Sequence, residues 1–162
     1  MLTRLLKNIK SFFIKSNSIT KIEKKLDYYF QNKQLVEQAF THKSINSSPR
    51  FNYERLEFLG DSVLDIVISR ELMREFPDGD EGLLTQRRAA LVQKPFLANA
   101  GRLLGLMNYL KIEQNIDLTI NKIADKQLAN IFEALIGAIY LDGGINPCKV
   151  LILNTVWEHR KE

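Results

Sequence analysis

The chain has 162 residues, 45% hydrophobic and 26% charged, so it is long enough for one domain with a substantial hydrophobic core. Its only cysteine, Cys148, excludes an internal disulfide bond and a cysteine-based metal cluster, as is typical of proteins from a reducing compartment. No apolar run reaches the roughly 18–20 residues that a transmembrane helix needs, so we expect no membrane span.

The net charge of +4 is concentrated at the N-terminus, where residues 1–26 carry seven basic residues against one acidic residue, a balance of +6. Residues 1–18 place apolar side chains at helical spacing between basic ones, which predicts a basic amphipathic extension ahead of a domain spanning residues 19–162. Such an extension is typical of an organellar presequence, of a segment that contacts RNA or an anionic membrane, or of an ordinary terminal helix. We expect a cytoplasmic protein and leave an organelle open.

Periods near 3.6 dominate the rest of the chain and predict an all-α fold. Residues 19–40 predict two short helices with a break at Asn32, and a polar loop then leads to a helix that begins near Asn52. Beyond the turn at residues 76–81 we expect helices over 82–92 and 95–104, the second closed by Gly105. A long helix over 123–141 and a last helix from Pro147 to about residue 159 complete the prediction.

A stripe of carboxylates marks the helix that begins near Asn52. Glu54, Glu57 and Asp61 stand at i, i+3 and i+7, within an arc of about 60° at 100° per residue, and Asp65 extends the stripe. The surrounding residues are mostly apolar, so we expect this helix to be largely buried. Buried carboxylates require a basic side chain, a metal ion or water in a cleft opposite them. The alternative is a solvated stripe on an amphipathic helix.

The long helix over 123–141 is a second source of oxygen ligands, because Asn130 and Glu133 lie one turn apart in an apolar context. Two such helices facing each other predict a shared metal site. Its donors would be hard oxygens, which favour Mg²⁺ or Mn²⁺ over zinc. Metals of this kind serve phosphate chemistry, and the segment 82–88 offers RNA contacts from its polar and basic side chains Thr85, Gln86, Arg87 and Arg88.

Four segments carry a resemblance to a known family. Residues 54–64 read ERLEFLGDSVL, residues 40–44 read FTHKS, residues 81–92 read EGLLTQRRAALV, and residues 132–142 read FEALIGAIYLD. In order and spacing they resemble the ribonuclease III family over about residues 20–158. The resemblance implies an all-helical endonuclease domain that acts as a homodimer on double-stranded RNA, in RNA processing such as that of ribosomal RNA. It implies hydrolysis by metal-activated water, leaving 5′-phosphate and 3′-hydroxyl ends.

The resemblance also assigns roles to particular residues. By motif position Glu57, Asp61 and Glu133 resemble the metal ligands, with Asp61 and Glu133 catalytic, and Asn130 takes the place of a fourth ligand. Further acidic residues of the cleft correspond to Glu54 and Glu81, and the signature aromatic that enters a pocket of the partner subunit corresponds to Phe58. Independently of the resemblance, the segment 82–88 predicts RNA contacts from Thr85, Gln86 and Arg88.

Two departures from the family pattern produce further expectations. Asn130 stands where the family usually has aspartate, so the site loses one negative charge and we expect the enzyme to need more divalent metal. The usual double-stranded-RNA-binding domain does not follow before Glu162, which indicates either a compact single-domain form or a truncated one. We expect the basic extension to replace that domain in part. The alternative function is a catalytically impaired RNA-binding or ribosome-associated subunit of the same family.

Overall fold

The computed structural model describes residues 18–161, so the predicted extension over residues 1–18 lies outside the described residues except for Ser18. The described part is all-α, as predicted. It contains no strand, and its one isolated β-bridge joins Thr41 to Lys111. We number the helices α1 (18–26), α2 (Lys33–Ala39), α3 (Glu54–Glu75), α4 (Glu81–Val92), α5 (Lys94–Leu103), α6 (Asn121–Gly143) and α7 (Ile145–Ile152). A 3₁₀ turn over Leu106–Tyr109 follows α5, and a π-helical turn over Leu153–Trp157 follows α7.

Helix α6 is the centre of the molecule. Each of its residues from Gln127 to Ile139 is buried, and α2, α3, α5 and α7 pack against it. Its closest neighbour is α3, because both helices carry glycine where they cross. A Cβ built on Gly60 would lie 1.8 Å from the carbonyl oxygen of Glu133, and one built on Gly137 would lie 2.1 Å from that of Leu56. The two backbones are therefore in direct contact, which only glycine permits.

The predicted helix boundaries are mostly confirmed by the contacts that form them. Asn32 separates α1 from α2, and its side chain accepts a hydrogen bond from the backbone N–H of Gln34 at 3.0 Å. Asp80 caps α4 by accepting from the N–H of Leu83 at 2.8 Å. Gly105 ends α5 in the left-handed conformation, with a φ of 61°. The last helix is shorter than predicted, since α7 ends at Ile152.

The C-terminal end of α6 is tied to the segment between α1 and α2. The carboxylate of Asp142 accepts hydrogen bonds from the Tyr28 hydroxyl at 2.7 Å and from the backbone N–H groups of Gln31 and Asn32 at 2.9 and 2.8 Å. These bonds hold the N-terminal helices against the end of the central helix.

The prediction that α3 is largely buried was wrong for one of its faces. Phe58, Ile66 and Met73 are 78%, 63% and 63% exposed, whereas Leu64 and Ile68 on the opposite side have no exposure. The helix also begins two residues later than Asn52. Asn52 lies before the helix and is buried, and its side-chain oxygen accepts a hydrogen bond from the backbone N–H of Glu54 at 3.0 Å. Within residues 18–161 we find no helix whose length and hydropathy would let it span a bilayer.

Candidate metal centre

The contact between α3 and α6 brings the two predicted sources of carboxylates together. Glu57 precedes Gly60 by three residues and Asp61 follows it by one, and Gly60 lies against the backbone of Glu133. Glu133 is 7% exposed, Glu57 is half-buried and Asp61 faces the solvent. The three side chains therefore span the depth of one cleft, from the buried surface of α6 to the outside.

The charges of these acids act on one another. Burial, and then the neighbouring charges of Glu57 and Asp61, raise the pKa of Glu133 to about 8. Burial is also the main reason why the pKa of Glu57 lies above its ordinary value, and burial together with the charge of Asp65 raises that of Asp61. Raised pKa values on several neighbouring acids are typical of functional sites, because a purely structural cluster of this kind would be costly to fold.

A chain of hydrogen bonds fixes the amide of Asn130 beside these acids. The Nζ of Lys94 donates to Asn130 Oδ1 at 2.9 Å, and Asn130 Nδ2 donates to the Tyr53 hydroxyl oxygen at 3.4 Å. The Tyr53 hydroxyl in turn donates to Gln127 Oε1 at 2.8 Å. Asn130 is 5% exposed, so both ends of its amide are satisfied inside the protein. The charge of Lys94 also lowers the pKa of Glu57, Asp61 and Glu133, against the effect of burial.

Asp65 continues the stripe one turn beyond Asp61. Its Oδ1 atom is buried and accepts no hydrogen bond, and the nearest basic group is the Nε of Arg88 at 3.9 Å. Arg88 instead donates to Ser69 Oγ at 2.9 Å. An unsatisfied carboxylate oxygen costs free energy, and Asp65 adds negative potential to this side of the cleft that Arg88 balances only in part.

The donor set fits a hard divalent cation in its chemistry, since three carboxylates and one amide lie around the crossing of α3 and α6. Over residues 18–161, however, no three acidic, histidine or cysteine side chains are gathered at the spacing of a bound ion. An ion would have to draw Glu57, Asp61 and Glu133 closer together. The oxygen of Asn130 already accepts a hydrogen bond from Lys94.

The other residues assigned by resemblance lie at the edges of this cluster or away from it. Glu54 is half-buried, and its carboxylate is 3.2 Å from the Nζ of Lys43. Glu81 is the first residue of α4 and accepts a hydrogen bond from Thr85 at 3.2 Å. Because Arg88 lies two turns further along α4 beside Asp65, Glu81 points toward the far end of α3. Within one chain the structure does not bring Glu81 to the cluster.

The predicted RNA contacts lie on the outer face of α4, where Thr85 and Gln86 are exposed. Arg87 is exposed as well and stacks its guanidinium on the ring of Phe76, 5.5 Å from the centroid. Arg88 is half-buried against α3. Phe58, predicted to contact a partner subunit, stands on the exposed face of α3 beside an open groove whose lining includes Arg55, Leu59 and Leu141.

Sequence reasoning missed Lys94 and Tyr53. Lys94 lies 36 residues before Asn130, and no spacing rule connects them. One local signal existed, since Lys94 begins α5 immediately before Pro95. A lysine at a helix N-terminus is disfavoured by the helix dipole, so its presence there indicates acids nearby.

Comparison with known proteins assigns the family. A model of ribonuclease-III-like domains matches residues 32–159 of the chain. The chain belongs to the ribonuclease-III-like family. Among curated members, a ribonuclease 3 from Ehrlichia canis is 42% identical over 143 residues, which are 87% of this chain and 63% of the relative. A ribonuclease 3 from Sulfurovum is 37% identical over 142 residues, 88% of this chain and 63% of the relative. This ribonuclease-III-like chain spans less than two thirds of the curated relatives that it matches.

Solved structures place the match in one part of those proteins. The nuclease domain of ribonuclease III from Campylobacter jejuni superposes on this ribonuclease-III-like domain with a TM-score of 0.79 at 36% identity, covering 86% of this chain and 96% of that one. A Dicer from Pichia stipitis superposes with a TM-score of 0.60 at 28% identity, covering 82% of this chain and 57% of that one. The chain is therefore similar to a nuclease domain over nearly that domain's whole length.

Proposed function

We propose that this ribonuclease-III-like domain is a metal-dependent endoribonuclease that hydrolyses double-stranded RNA. The observation that carries the proposal is the meeting of Glu57, Asp61 and Glu133 where α3 crosses α6, with raised pKa values on all three. The names of the curated relatives and the match to a nuclease domain support the same activity. The reaction class follows from the donor set, because hard-oxygen sites without a nucleophilic side chain suit phosphodiester hydrolysis.

The residues of the cleft have different proposed roles in metal binding. Glu57, Asp61 and Glu133 would hold Mg²⁺ or Mn²⁺, and Asn130 would offer a neutral oxygen as a fourth donor. When bound, the ion supplies a lower pKa for an attacking water and positive charge for the phosphate. Glu133 would approach the ion from a buried stretch of α6. The products would carry 5′-phosphate and 3′-hydroxyl ends, in RNA processing such as that of ribosomal RNA.

Substrate contact is proposed for the outer face of α4. Thr85, Gln86 and Arg87 are exposed there, and Arg88 connects that face to Asp65 and Ser69 on α3. Side chains that donate to phosphates and 2′-hydroxyls recognise the shape of duplex RNA more than its sequence. We therefore expect binding to tolerate many sequences and to weaken as salt rises.

A homodimer is proposed from the exposed face of α3. Phe58, Ile66 and Met73 stand on one side of this helix at spacings of eight and seven residues, and each is more than 60% exposed. Three large apolar side chains in line on one helix are typical of a surface covered by another molecule. The family resemblance makes that molecule a second copy of the chain. Phe58 of each copy would enter the groove of the other copy, beside Leu59 and Leu141.

Cleavage of a long RNA duplex tests the activity. Wild type should cut it with Mg²⁺ or Mn²⁺ and leave 5′-phosphates, and Glu133→Gln should lower the rate by at least about 100-fold, since it removes a ligand charge without changing side-chain size. Single-stranded RNA serves as the control substrate. Binding of the duplex without cleavage in either metal would contradict the proposal and favour a noncatalytic RNA-binding or ribosome-associated subunit.

Sedimentation velocity tests the dimer. Phe58→Ser should shift the protein to the monomer, because the most exposed apolar side chain of the surface is lost. The matched control is Val150→Ser on α7, which removes another apolar side chain that is 59% exposed and should leave the dimer intact. Wild-type protein that sediments as a monomer at all concentrations would contradict the homodimer.

A further inference from the structure

The position of Lys94 has no assigned role in the proposed nuclease. Lys94 is exposed on the first turn of α5, yet its Nζ reaches the buried amide oxygen of Asn130 at 2.9 Å. It is also the basic group that opposes the burial of all three acids of the cleft. The acceptor of this hydrogen bond, Asn130, is buried on α6, and the donor, Lys94, is a flexible side chain on the surface.

The amide of Asn130 is held so that its oxygen faces Lys94. Its NH₂ group donates to the Tyr53 hydroxyl oxygen, and that hydroxyl donates to Gln127. Reversing the amide would put two donors against an ammonium group and an acceptor against a hydroxyl that already donates elsewhere. The oxygen of Asn130, the atom that would coordinate a cation, is therefore the atom that accepts from Lys94.

We propose that Lys94 acts as a tethered counter-ion: it offsets part of the negative charge of the cleft when no metal is bound and competes with the divalent ion for the oxygen of Asn130. This inference rests on the proposed function. The ammonium group and the metal require the same acceptor, Asn130 Oδ1, and are both attracted by the charge of the same carboxylates, so they compete. Binding of the ion then moves Lys94 outward into solvent, which its exposed position permits. Asn130 and Lys94 together make the site less negative than a site with aspartate and no lysine.

The competition predicts the direction in which removal of the Lys94 charge changes the affinity for Mn²⁺. A single charge within a few ångströms changes an ionic equilibrium by roughly one to three powers of ten, and solvent exposure of Lys94 places the effect at the lower end. Lys94→Met keeps most of the side-chain length and removes the charge. We expect it to bind Mn²⁺ about tenfold more tightly than wild type. Lys94→Arg keeps the positive charge and should bind Mn²⁺ within about twofold of wild type.

Lys43→Met is the matched control. Lys43 is also a surface lysine next to the acidic stripe, but it pairs with Glu54 at 3.2 Å and makes no contact with Asn130 among the described residues. Its loss changes the net charge of the protein by the same amount. It should therefore change the affinity for Mn²⁺ by less than about twofold, which separates a local contact from a general effect of charge.

The experiment is a titration of metal-free full-length protein with Mn²⁺, in which free Mn²⁺ is measured by electron paramagnetic resonance at fixed pH and ionic strength. Thermal denaturation in EDTA is the second readout: Lys94→Met should unfold at a lower temperature than wild type, and Mn²⁺ should raise its Tm by more than it raises that of wild type. Because both measurements are independent of RNA cleavage, they also report on a variant with little activity.

The outcomes distinguish this inference from the proposed function. If wild type binds Mn²⁺ and cleaves duplex RNA while Lys94→Met binds Mn²⁺ no more tightly, the counter-ion role is overturned and the nuclease stands. Weaker binding by Lys94→Met likewise overturns it, since Lys94 would then orient Asn130 as a ligand. Wild type that neither binds Mn²⁺ nor cleaves RNA overturns both.

Discussion

The close crossing of α3 and α6 predicts a large effect from adding one methyl group. In Gly60→Ala the new Cβ would lie 1.8 Å from the carbonyl oxygen of Glu133, 2.7 Å from its carbonyl carbon and 2.9 Å from the nitrogen of Gly137. All three atoms belong to the backbone, so no side-chain rotation relieves the clash. Raising the shortest distance from 1.8 Å to 3.0 Å requires the helices to separate by about 1.2 Å.

The cost follows from what that separation disturbs. Overpacking a core costs about 1–3 kcal/mol, and movement of two buried helices places Gly60→Ala near the upper end. Alanine recovers roughly 0.5–1 kcal/mol of backbone entropy in a helix. The net loss of about 2 kcal/mol corresponds to a decrease in Tm of roughly 4–8 °C for a domain of this size. The same separation moves Glu57 and Asp61 away from Glu133, so Mn²⁺ affinity should fall as well.

The assay compares two glycines that both lie in helices. At Gly82 the nearest atom to a new Cβ is a side-chain oxygen of Asp80 at 3.5 Å, an ordinary contact, so Gly82→Ala should raise the stability by about 0.4–1 kcal/mol. Thermal denaturation in EDTA measures both variants. Gly137→Ala supplies an independent test, because its Cβ would lie 2.1 Å from the Leu56 carbonyl oxygen. A Tm for Gly60→Ala equal to that of Gly82→Ala would refute the reasoning.

Three further predictions concern titratable side chains. The pKa of Glu133 is about 8 in the folded protein, above its ordinary value, so the folded protein binds this proton more tightly than the unfolded chain does. Metal-free wild type should therefore lose stability as pH rises from about 4.5 to about 8, by up to about 1.4 kcal/mol per pH unit. Urea midpoints that change with pH in parallel for wild type and Glu133→Gln would contradict this. Burial works against ionisation of Asp142, but its hydrogen bonds with Asn32, Tyr28 and Gln31 lower its pKa. Its stabilisation is therefore present above the ordinary pKa and is lost as the pH falls through the folded pKa, so Asp142→Ala should cost about 1–2 kcal/mol at pH 7 in urea denaturation and less at pH 2; an equal cost at both pH values would contradict this. Burial raises the pKa of Cys148 to about 12, so a disulfide reagent at pH 8 should label it only after unfolding, and rapid labelling of the native protein would show that the helix packing around it is loose.

The sequence predicted those helix ends that depend on the backbone preferences of single residues. The break at Asn32 and the closure at Gly105 follow from backbone preferences of single residues, and the structure confirms them. The meeting of the two acid-bearing helices also followed from the sequence, because acids in apolar helices need a common partner. Their depths in the cleft did not follow, since Glu133 is buried and Asp61 is exposed for reasons that depend on how α6 packs.

Two features were not predicted from the sequence: the contact of Lys94 with Asn130, and the exposure of Ile66 and Met73 on the same side of α3 as Phe58. The contact of Lys94 with Asn130 forms only after α5 packs on α6, and no periodicity encodes it. The exposure of Phe58, Ile66 and Met73 has a different cause. A helix with apolar residues on all sides is expected to be surrounded, and the pattern does not say whether its neighbours come from the same chain or from another molecule.

The place of α6 in the chain has a consequence for synthesis on the ribosome. The helix that fills the middle of the domain is made late, after α1 to α5. Until then Leu64 and Ile68 of α3 have no apolar surface to cover them, because that surface belongs to residues 127–139. Nascent chains that pause before this point should bind chaperones and remain sensitive to proteases, and folding should complete in one cooperative step once the central helix emerges.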